Sequence, residues 1–305
     1  MKSRQLTNIG ASIRNRLLNV AKETHVDFNR ILLLYFQERF LYRLSLSPYK
    51  KSFVLKGGVL LYGAHQMKAR PTRDIDFLAT NFDNQTDDFS RALEEIISIQ
   101  VNDGVAFDPA SISVETIGQP TNNAGVRCKI TAHLDTARLA LQLDLGLGDV
   151  VFPSPLEFEY PALLKSESIK IAAYSWDSVV AEKFEACVKL SDLNSRMKDF
   201  FDLHFLLAHH HFSGKILQES LRATFQNRDT DIGEAAHIFS EDFFNEPNKQ
   251  KQWSAFLRTN RLLAPLTFPE VVLAIKDFLF PATHALIYNT TFNKKWNAQK
   301  HLWTD

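Results

Sequence analysis

Two aspartates separated by one apolar residue, Asp74 and Asp76, open a strand-like run, Asp74 to Ala79. Side chains alternate across a strand, so both acids share one face while Ile75 and Phe77 take the other. Carboxylates that close repel, and when partly buried they shift toward the protonated form instead of staying ionised. A divalent cation removes the conflict, and Mg²⁺ commonly takes one or two carboxylates together with substrate phosphates. The plainer alternative is a solvent-facing strand whose acids pair with Arg70 and Arg73. Upstream, Gly57-Gly58 follows a short strand candidate, Phe53 to Leu55, and opens a helical stretch reaching about Gln66. That position offers backbone N–H groups to a phosphate with no Cβ in the way. No G-K-[ST] follows, so this is not a P-loop. Strand, Gly-Gly, helix and an Asp-x-Asp strand together say more than any one piece.

Further chemistry-bearing residues lie downstream. In "RLALQLDLGLGD", leucines 139, 141, 143 and 145 line one face, with Gln142 and Asp144 on the other. Asp144 is either an edge charge that discourages aggregation or a third carboxylate for the Asp74/Asp76 site. In "SWDSVVAEKFEACVKL", Ser175 or Asp177 caps a helix whose packed stripe is Val179, Val180, Phe184 and Cys187, with Lys183 on a flank. Lys183 is a solvated lysine or a compact point charge for a triphosphate. "NSRMKDFFDL" is capped by Asn194 or Ser195 and puts Lys198, Asp199 and Asp202 on one helical face, against Phe200, Leu203 and Leu207. These form a surface pair, or else Asp202 or Asp199 orients Lys183. Arg70 suits a phosphate fork, and the Thr72 hydroxyl suits a phosphate oxygen or a bond that holds Asp74. Arg73 is assigned to structure. His209, His210 and His211 point to different sides of a helix, which argues against a shared metal. The tail interleaves Tyr288, Phe292, Trp296 and Trp303 with Lys294, Lys295 and Lys300; core packing is favoured over stacking on single-stranded RNA.

The elements that must position these groups are legible in outline. Residues 9–47 are helical by periodicity; strand and helix alternate to about residue 99; β pattern runs from Ile112, with a turn near Asp135-Thr136; helices follow from about Ile171 onward. Pro153, Pro155 and Pro161 mark a loop-rich passage. The expected division is a helical segment over 1–50, an α/β core over 51–165 and a helical domain over 166–305. With 305 residues, 45% of them hydrophobic, the chain can bury a sizeable core. Its 35 basic and 35 acidic residues cancel, so a globally basic nucleic-acid binder is not indicated. The first 51 residues hold ten Lys/Arg against three Asp/Glu, which is expected to be a solvated helical face. Two distant cysteines, Cys128 and Cys187, exclude a disulfide framework or zinc cluster and fit a reducing compartment. No apolar run is long enough for a membrane span, and the protein is expected to be soluble and cytoplasmic.

The strand, Gly-Gly, helix and Asp-x-Asp order is that of the nucleotidyltransferase superfamily that includes DNA polymerase beta, which implies a third carboxylate, here Asp144. More closely, "SFVLKGGVLLYGAHQMKARPTRDIDFL" resembles the first motif of the AbiEii/AbiGii toxin family, to which the MenT toxins also belong. Gly57, Gly58, Leu61, Arg70, Thr72, Asp74 and Asp76 fall on its positions. Asp144 falls in the second motif, Lys183 in the third ("AEKFEACVKL"), and Arg196, Lys198, Asp199 and Asp202 in the fourth. The resemblance runs from about residue 10 to 280. It implies an α+β fold: a polymerase-beta-like core of mixed sheet and flanking helices, with a helical N-terminal segment and a helical C-terminal domain. It further implies NTP as substrate, Mg²⁺ (or Mn²⁺) at Asp74, Asp76 and Asp144, and nucleotide contacts from Gly57, Gly58, Arg70, Thr72, Lys183, Lys198 and Asp199. Asp202 and Lys183 would join the three acids in catalysis. A separately encoded, AbiEi-like antitoxin is the implied partner, and the 3′ end of tRNA or another RNA the implied acceptor. A protein or small-molecule acceptor, or a non-catalytic nucleotide- or RNA-binding toxin, is the alternative.

Overall fold

The computed structural model describes residues 8–82, 86–117, 125–164, 167–193, 195–262 and 266–305. The chain forms two compact units: Met1–Gly148 with Leu156–Ala173, and Asp149–Pro155 with Tyr174–Asp305.

The first unit opens with α1 (Ile9–Thr24), capped by Asn8, and α2 (Phe28–Leu46), capped by Asp27 through the amides of Asn29 and Arg30. Then come β1 (Phe53–Lys56), α3 (Gly57–His65), β2 (Asp74–Ala79), α4 (Thr86–Ser98), β3 (Val105–Ile117), β4 (Gly125–Leu134), β5 (Ala137–Leu147), β6 (Leu156–Tyr160) and β7 (Ile169–Ala173). The strands make one mixed sheet in the order β3-β4-β5-β2-β1-β7-β6. β2 is central, antiparallel to β1 and parallel to β5. The architecture is the expected α+β arrangement.

Helix α2 is buried on most sides, with its polar residues Gln37, Glu38, Arg39 and Arg43 included. Phe40 packs on Phe77 of β2 and Phe107 of β3, at 6.5 and 6.2 Å between ring centres. The expected solvated basic face fails for two of its residues. Arg39 is buried against Glu38 at 2.5 Å. Arg43 forks onto Asp103 at 2.7 and 3.1 Å and also donates to the carbonyls of Arg39 and Val105. Burial at this depth demands paired charges. β6 and β7 are also new: the proline-rich passage promised only loops. Pro155 and Pro161 flank β6 without entering it, and β6 is an edge strand, where flanking prolines do least harm.

The second unit holds α5 (Trp176–Leu190), α6 (Met197–His209), β8 (Phe212–Ser213), α7 (Gly214–Asn227), α8 (Ala235–Ile238), α9 (Glu241–Phe244), α10 (Pro247–Asn260), α11 (Phe268–Ile287), β9 (Lys295–Asn297) and β10 (Leu302–Thr304). Ser175 caps α5 through the amide of Ser178 at 3.2 Å, one of the two expected caps. α6 begins after Arg196, with no side-chain cap, instead of at Ser195; Asn194 lies outside the described residues. Trp296 is buried, its indole N–H donating to the Leu207 carbonyl at 2.7 Å, and Trp303 stacks on Phe278. Trp296 and Trp303 pack into the unit, as favoured, whereas Tyr288 is exposed. His209 stacks on Phe205 and His210 on Trp176, while His211 lies 3.2 Å from the Trp296 carbonyl. No helix among the described residues is long and apolar enough to cross a membrane.

The Arg43–Asp103 pair supplies a stability test. Asp103→Ala leaves a buried guanidinium without its carboxylate, and urea unfolding is expected to show a loss of about 3–5 kcal/mol.

Candidate active site

Strand register decides which way the acids face. Asp74 lies opposite Gln142 and Asp76 opposite Asp144, across the parallel β2–β5 pair. On the other side of β5, Arg127 is opposite Asp144 and Lys129 opposite Gln142. On the other side of β2, Lys56 is opposite Asp76. Directly paired residues share a face, so one row across four strands reads Arg127, Asp144, Asp76, Lys56. Two acids side by side are thus bracketed by two cations. At the ~4.8 Å spacing of neighbouring strands, two like charges repel by roughly 3 kcal/mol at an effective dielectric constant of about 20.

Arg127 relieves that repulsion. Its Nε and Nη2 donate to the two Asp144 oxygens at 2.9 and 2.8 Å, and Gln142 Nε2 donates to the same carboxylate at 3.2 Å. The hydrogen bonds to Asp144 raise the pKa of Arg127, against a smaller opposing effect of burial. Sequence reasoning missed Arg127, although the alternation Val126-Arg127-Cys128-Lys129 already puts it on the polar face of β4. On the opposite face, burial pushes the Cys128 thiol up to about 12, so it is an inert core group.

The two glycines are fixed by close approach. Gly57 has φ +65°, and a Cβ there would meet Asp76, with the Asp76 Cβ at 2.8 Å. A Cβ on Gly58 would lie 2.6 Å from the Thr72 hydroxyl. Helix α3 therefore starts in contact with the acidic strand, and no side chain caps it. The Thr72 hydroxyl donates to the Asp74 carbonyl at 3.4 Å, and Arg70 donates to the Pro71 carbonyl at 3.2 Å. The buried Gln37 side chain donates to the Arg73 carbonyl at 2.9 Å, tying the loop before β2 to α2. Gln37 had drawn no attention in the sequence, where a glutamine on a helix carries no distinguishing signal.

Asp74, Asp76 and Asp144 thus share a face, but Asp144 spends its carboxylate on Arg127 and Gln142. Among the described residues no three His, Cys, Asp or Glu side chains form a metal-holding group. The donors that fit a divalent ion are Asp74 and Asp76, both half-buried and oxygen-bearing, and the Asp76 side chain fills the place a Gly57 Cβ would take.

In the helical unit, Lys183 is buried and not on a solvated flank. Its ammonium lies 2.5 Å from Asp202 and 3.3 Å from Asp199, and Arg196 Nε is 2.8 Å from the second Asp199 oxygen. Asp199 and Asp202 are both buried, whereas Lys198 is exposed; the expected common face of the three splits at Lys198.

A family model for the AbiEii nucleotidyl transferase toxin of type IV toxin–antitoxin systems matches residues 39–278. The chain belongs to the AbiEii family. It is a nucleotidyltransferase and a toxin, whose system includes a separate antitoxin. No match is found among curated proteins. Two solved Helicobacter pylori structures are similar to it: a "putative nucleotidyltransferase", 17% identical, covering 87% of this chain and 97% of its own, with a TM-score of 0.48; and JHP933, 17% identical, covering 86% and 93%, with a TM-score of 0.48. The matched segment of this AbiEii chain opens inside α2 and closes inside α11.

Two measurements test the AbiEii helical unit. Lys183→Met removes the ammonium that pairs with two buried carboxylates, and denaturant unfolding is expected to lose about 3–5 kcal/mol; a change below about 0.5 kcal/mol would mean the cluster is not structural. On the same helix, burial pushes the Asp177 carboxyl up to about 6, and one of its oxygens is buried without a hydrogen bond. A raised carboxyl pKa favours the protonated folded state, so this residue costs stability as pH rises from about 4 to 6. Asp177→Asn should therefore raise Tm above pH ~6, by roughly 1–3 kcal/mol in stability, with the gain fading toward pH ~4.

Proposed function

We propose that this AbiEii toxin moves a nucleoside monophosphate from an NTP onto an acceptor hydroxyl, with the 3′ end of a tRNA as the acceptor. The observation that carries the reading is the abutment of Gly57 on Asp76, which joins a phosphate-compatible turn to an acidic strand. The Gly57–Gly58 turn and the first amides of α3 bind the triphosphate, with backbone N–H groups and the helix dipole favouring negative charge. Arg70 adds a cationic fork to a phosphate oxygen. Thr72 holds the chain entering β2, so that Asp74 presents its carboxylate beside Asp76.

Asp74 and Asp76 would hold a divalent ion, with Mg²⁺ preferred for its oxygen chemistry. Such an ion supplies charge neutralisation of the phosphates and a lowered pKa of the attacking hydroxyl. Asp144 completes the acidic row, and Arg127 keeps its carboxylate oriented along it. The reaction leaves pyrophosphate, with the acceptor oxygen bonded to the α-phosphorus. The cytoplasm, where NTP and tRNA are found, is the compartment in which this activity would operate, and an AbiEi-like protein is the antitoxin expected to oppose it.

The test incubates the protein with bulk tRNA and each of four α-labelled NTPs, in parallel with total protein as acceptor. Label is expected on tRNA with at least one NTP, and Asp76→Ala is expected to lower the rate about 10³-fold or more. Transfer by Asp76→Ala at the wild-type rate would sink the mechanism, and label on protein alone would sink the acceptor.

A further inference from the structure

We infer that the acceptor's terminal nucleoside enters a cavity lined by Asp74 at the start of β2. This rests on the transfer reading above and adds to it the place and chemistry of the second substrate. The cavity has a volume of about 520 Å³, within the range of sites that enclose a small organic group. Its walls come from the first turns of α2, from the loop before β2, and from β4 and β5.

Its chemistry follows from strand register. β2 begins opposite Gln142, so Ala137–Leu141 of β5 run past the start of β2. Consecutive strand residues point to opposite faces, yet Leu139, Ala140 and Leu141 all line the cavity. A space that touches all three touches the strand's edge, where N–H and C=O groups alternate as donors and acceptors. Leu33 and Pro71 add apolar surface. An apolar slot with a donor–acceptor edge suits a flat heteroaromatic base, which unpaired RNA presents by its edge.

Charge points the same way. Arg30, Arg73 and Lys129 line the cavity, against Asp27 and Asp74. The Asp27 carboxylate accepts the amides of Asn29 and Arg30 as the cap of α2. Lys129 is exposed and lies 3.7 Å from Glu115, a loose surface pair. With Asp74 serving an ion, the remaining balance is cationic, which fits a phosphodiester-linked nucleoside better than a neutral polyol. A protein strand adding to the β5 edge is the rival occupant. The cavity reaches only Leu139, Ala140 and Leu141 of the five-residue overhang and is lined by Arg30, Arg73 and Lys129, so the nucleoside is favoured.

Asp74 lines this cavity, and Asp76 abuts Gly57. The two neighbouring acids thereby join the cavity to the glycine turn, and Thr72, which also lines the cavity, lies against Gly58. Triphosphate on one side and acceptor on the other is the arrangement an in-line displacement needs.

The test uses Ala140→Trp, which fills the cavity from an exposed strand position, Ala140→Ser as a size control, and Lys129→Ala. Thermal melts screen for folding. Tight binding of bulk tRNA and of NTP is measured separately, and KM for each where transfer occurs. Ala140→Trp is expected to weaken tRNA binding and raise tRNA KM about tenfold relative to Ala140→Ser, with NTP affinity unchanged. Lys129→Ala is expected to reduce the salt dependence of tRNA binding by about one phosphate contact. Wild-type tRNA affinity in Ala140→Trp, or a rise in NTP KM instead, overturns the assignment. So does wild-type tRNA binding combined with lost neutralisation by the cognate antitoxin, which would give the edge to a protein strand. If the wild-type protein transfers to no RNA, the transfer reading falls, and the tRNA-binding arm still decides the cavity.

Discussion

A carboxylate and a backbone turn occupy adjoining space at Asp76 and Gly57, and that abutment sets the terms for the rest of the first unit. Any side chain at position 57 would overlap Asp76, and its φ of +65° is a conformation that L side chains rarely adopt. The turn can therefore lie against the acidic strand only as glycine. Its neighbour Gly58 meets Thr72 in the same way, so the loop entering β2 is pressed on the start of α3 from both sides. Behind the loop, Gln37 fixes the Arg73 carbonyl from α2. Asp74 and Asp76 thus sit on a strand whose entry is set by backbone and buried amide contacts. Such positioning has little rotamer freedom to lose when a substrate arrives.

Each unit holds matched charge clusters of its own. The chain's balanced composition hides a set of local, matched clusters: Arg43 with Asp103, Arg127 with Asp144, and Lys183 with Asp199 and Asp202. Arg228 gathers Asp149, Glu182 and Glu185 at 2.9 Å each. Desolvating an ion costs several kcal/mol, and only near partners with good geometry offset it. Such clusters add specificity more readily than stability, because replacing one partner leaves the other stranded.

Much of this was legible in the sequence. Period-two alternation in "VRCKITAHLDTARLALQLDLGLGD" gave β4, β5 and the turn between them, and hence the face of Asp144. The Asp-x-Asp strand and the Gly-Gly helix start came from local rules alone, and the aliphatic stripes of α5 and α6 are buried where periodicity put them. What stayed hidden depends on partners distant in sequence. A lysine on a helix flank looks solvated until a second helix brings Asp202 and Asp199 to it. Arg127 looks like an ordinary strand cation until register sets it against Asp144. Arg39 and Arg43 looked like surface charge because nothing local marks α2 as enclosed. β6 and β7 were masked by the prolines around them, whose local meaning is a break although their place beside an edge strand permits pairing.

One register ties the acidic row to the cavity. Pairing Asp74 with Gln142 puts Asp76 beside Asp144 and leaves Ala137–Leu141 of β5 overhanging the start of β2. A one-residue slip would turn the acids into the apolar face. A two-residue slip toward the start of β5 would keep the face but set Asp76 against Gln142, and would bury part of the overhang under β2. Asp144 would then lie opposite Leu78, with Arg127 still on it and no second acid beside it. The adjoining carboxylates and the open strand edge are therefore not separate features that happen to be near each other. Both are consequences of where β2 begins, and that point is held by Pro71, Thr72 and the Gln37 contact to Arg73.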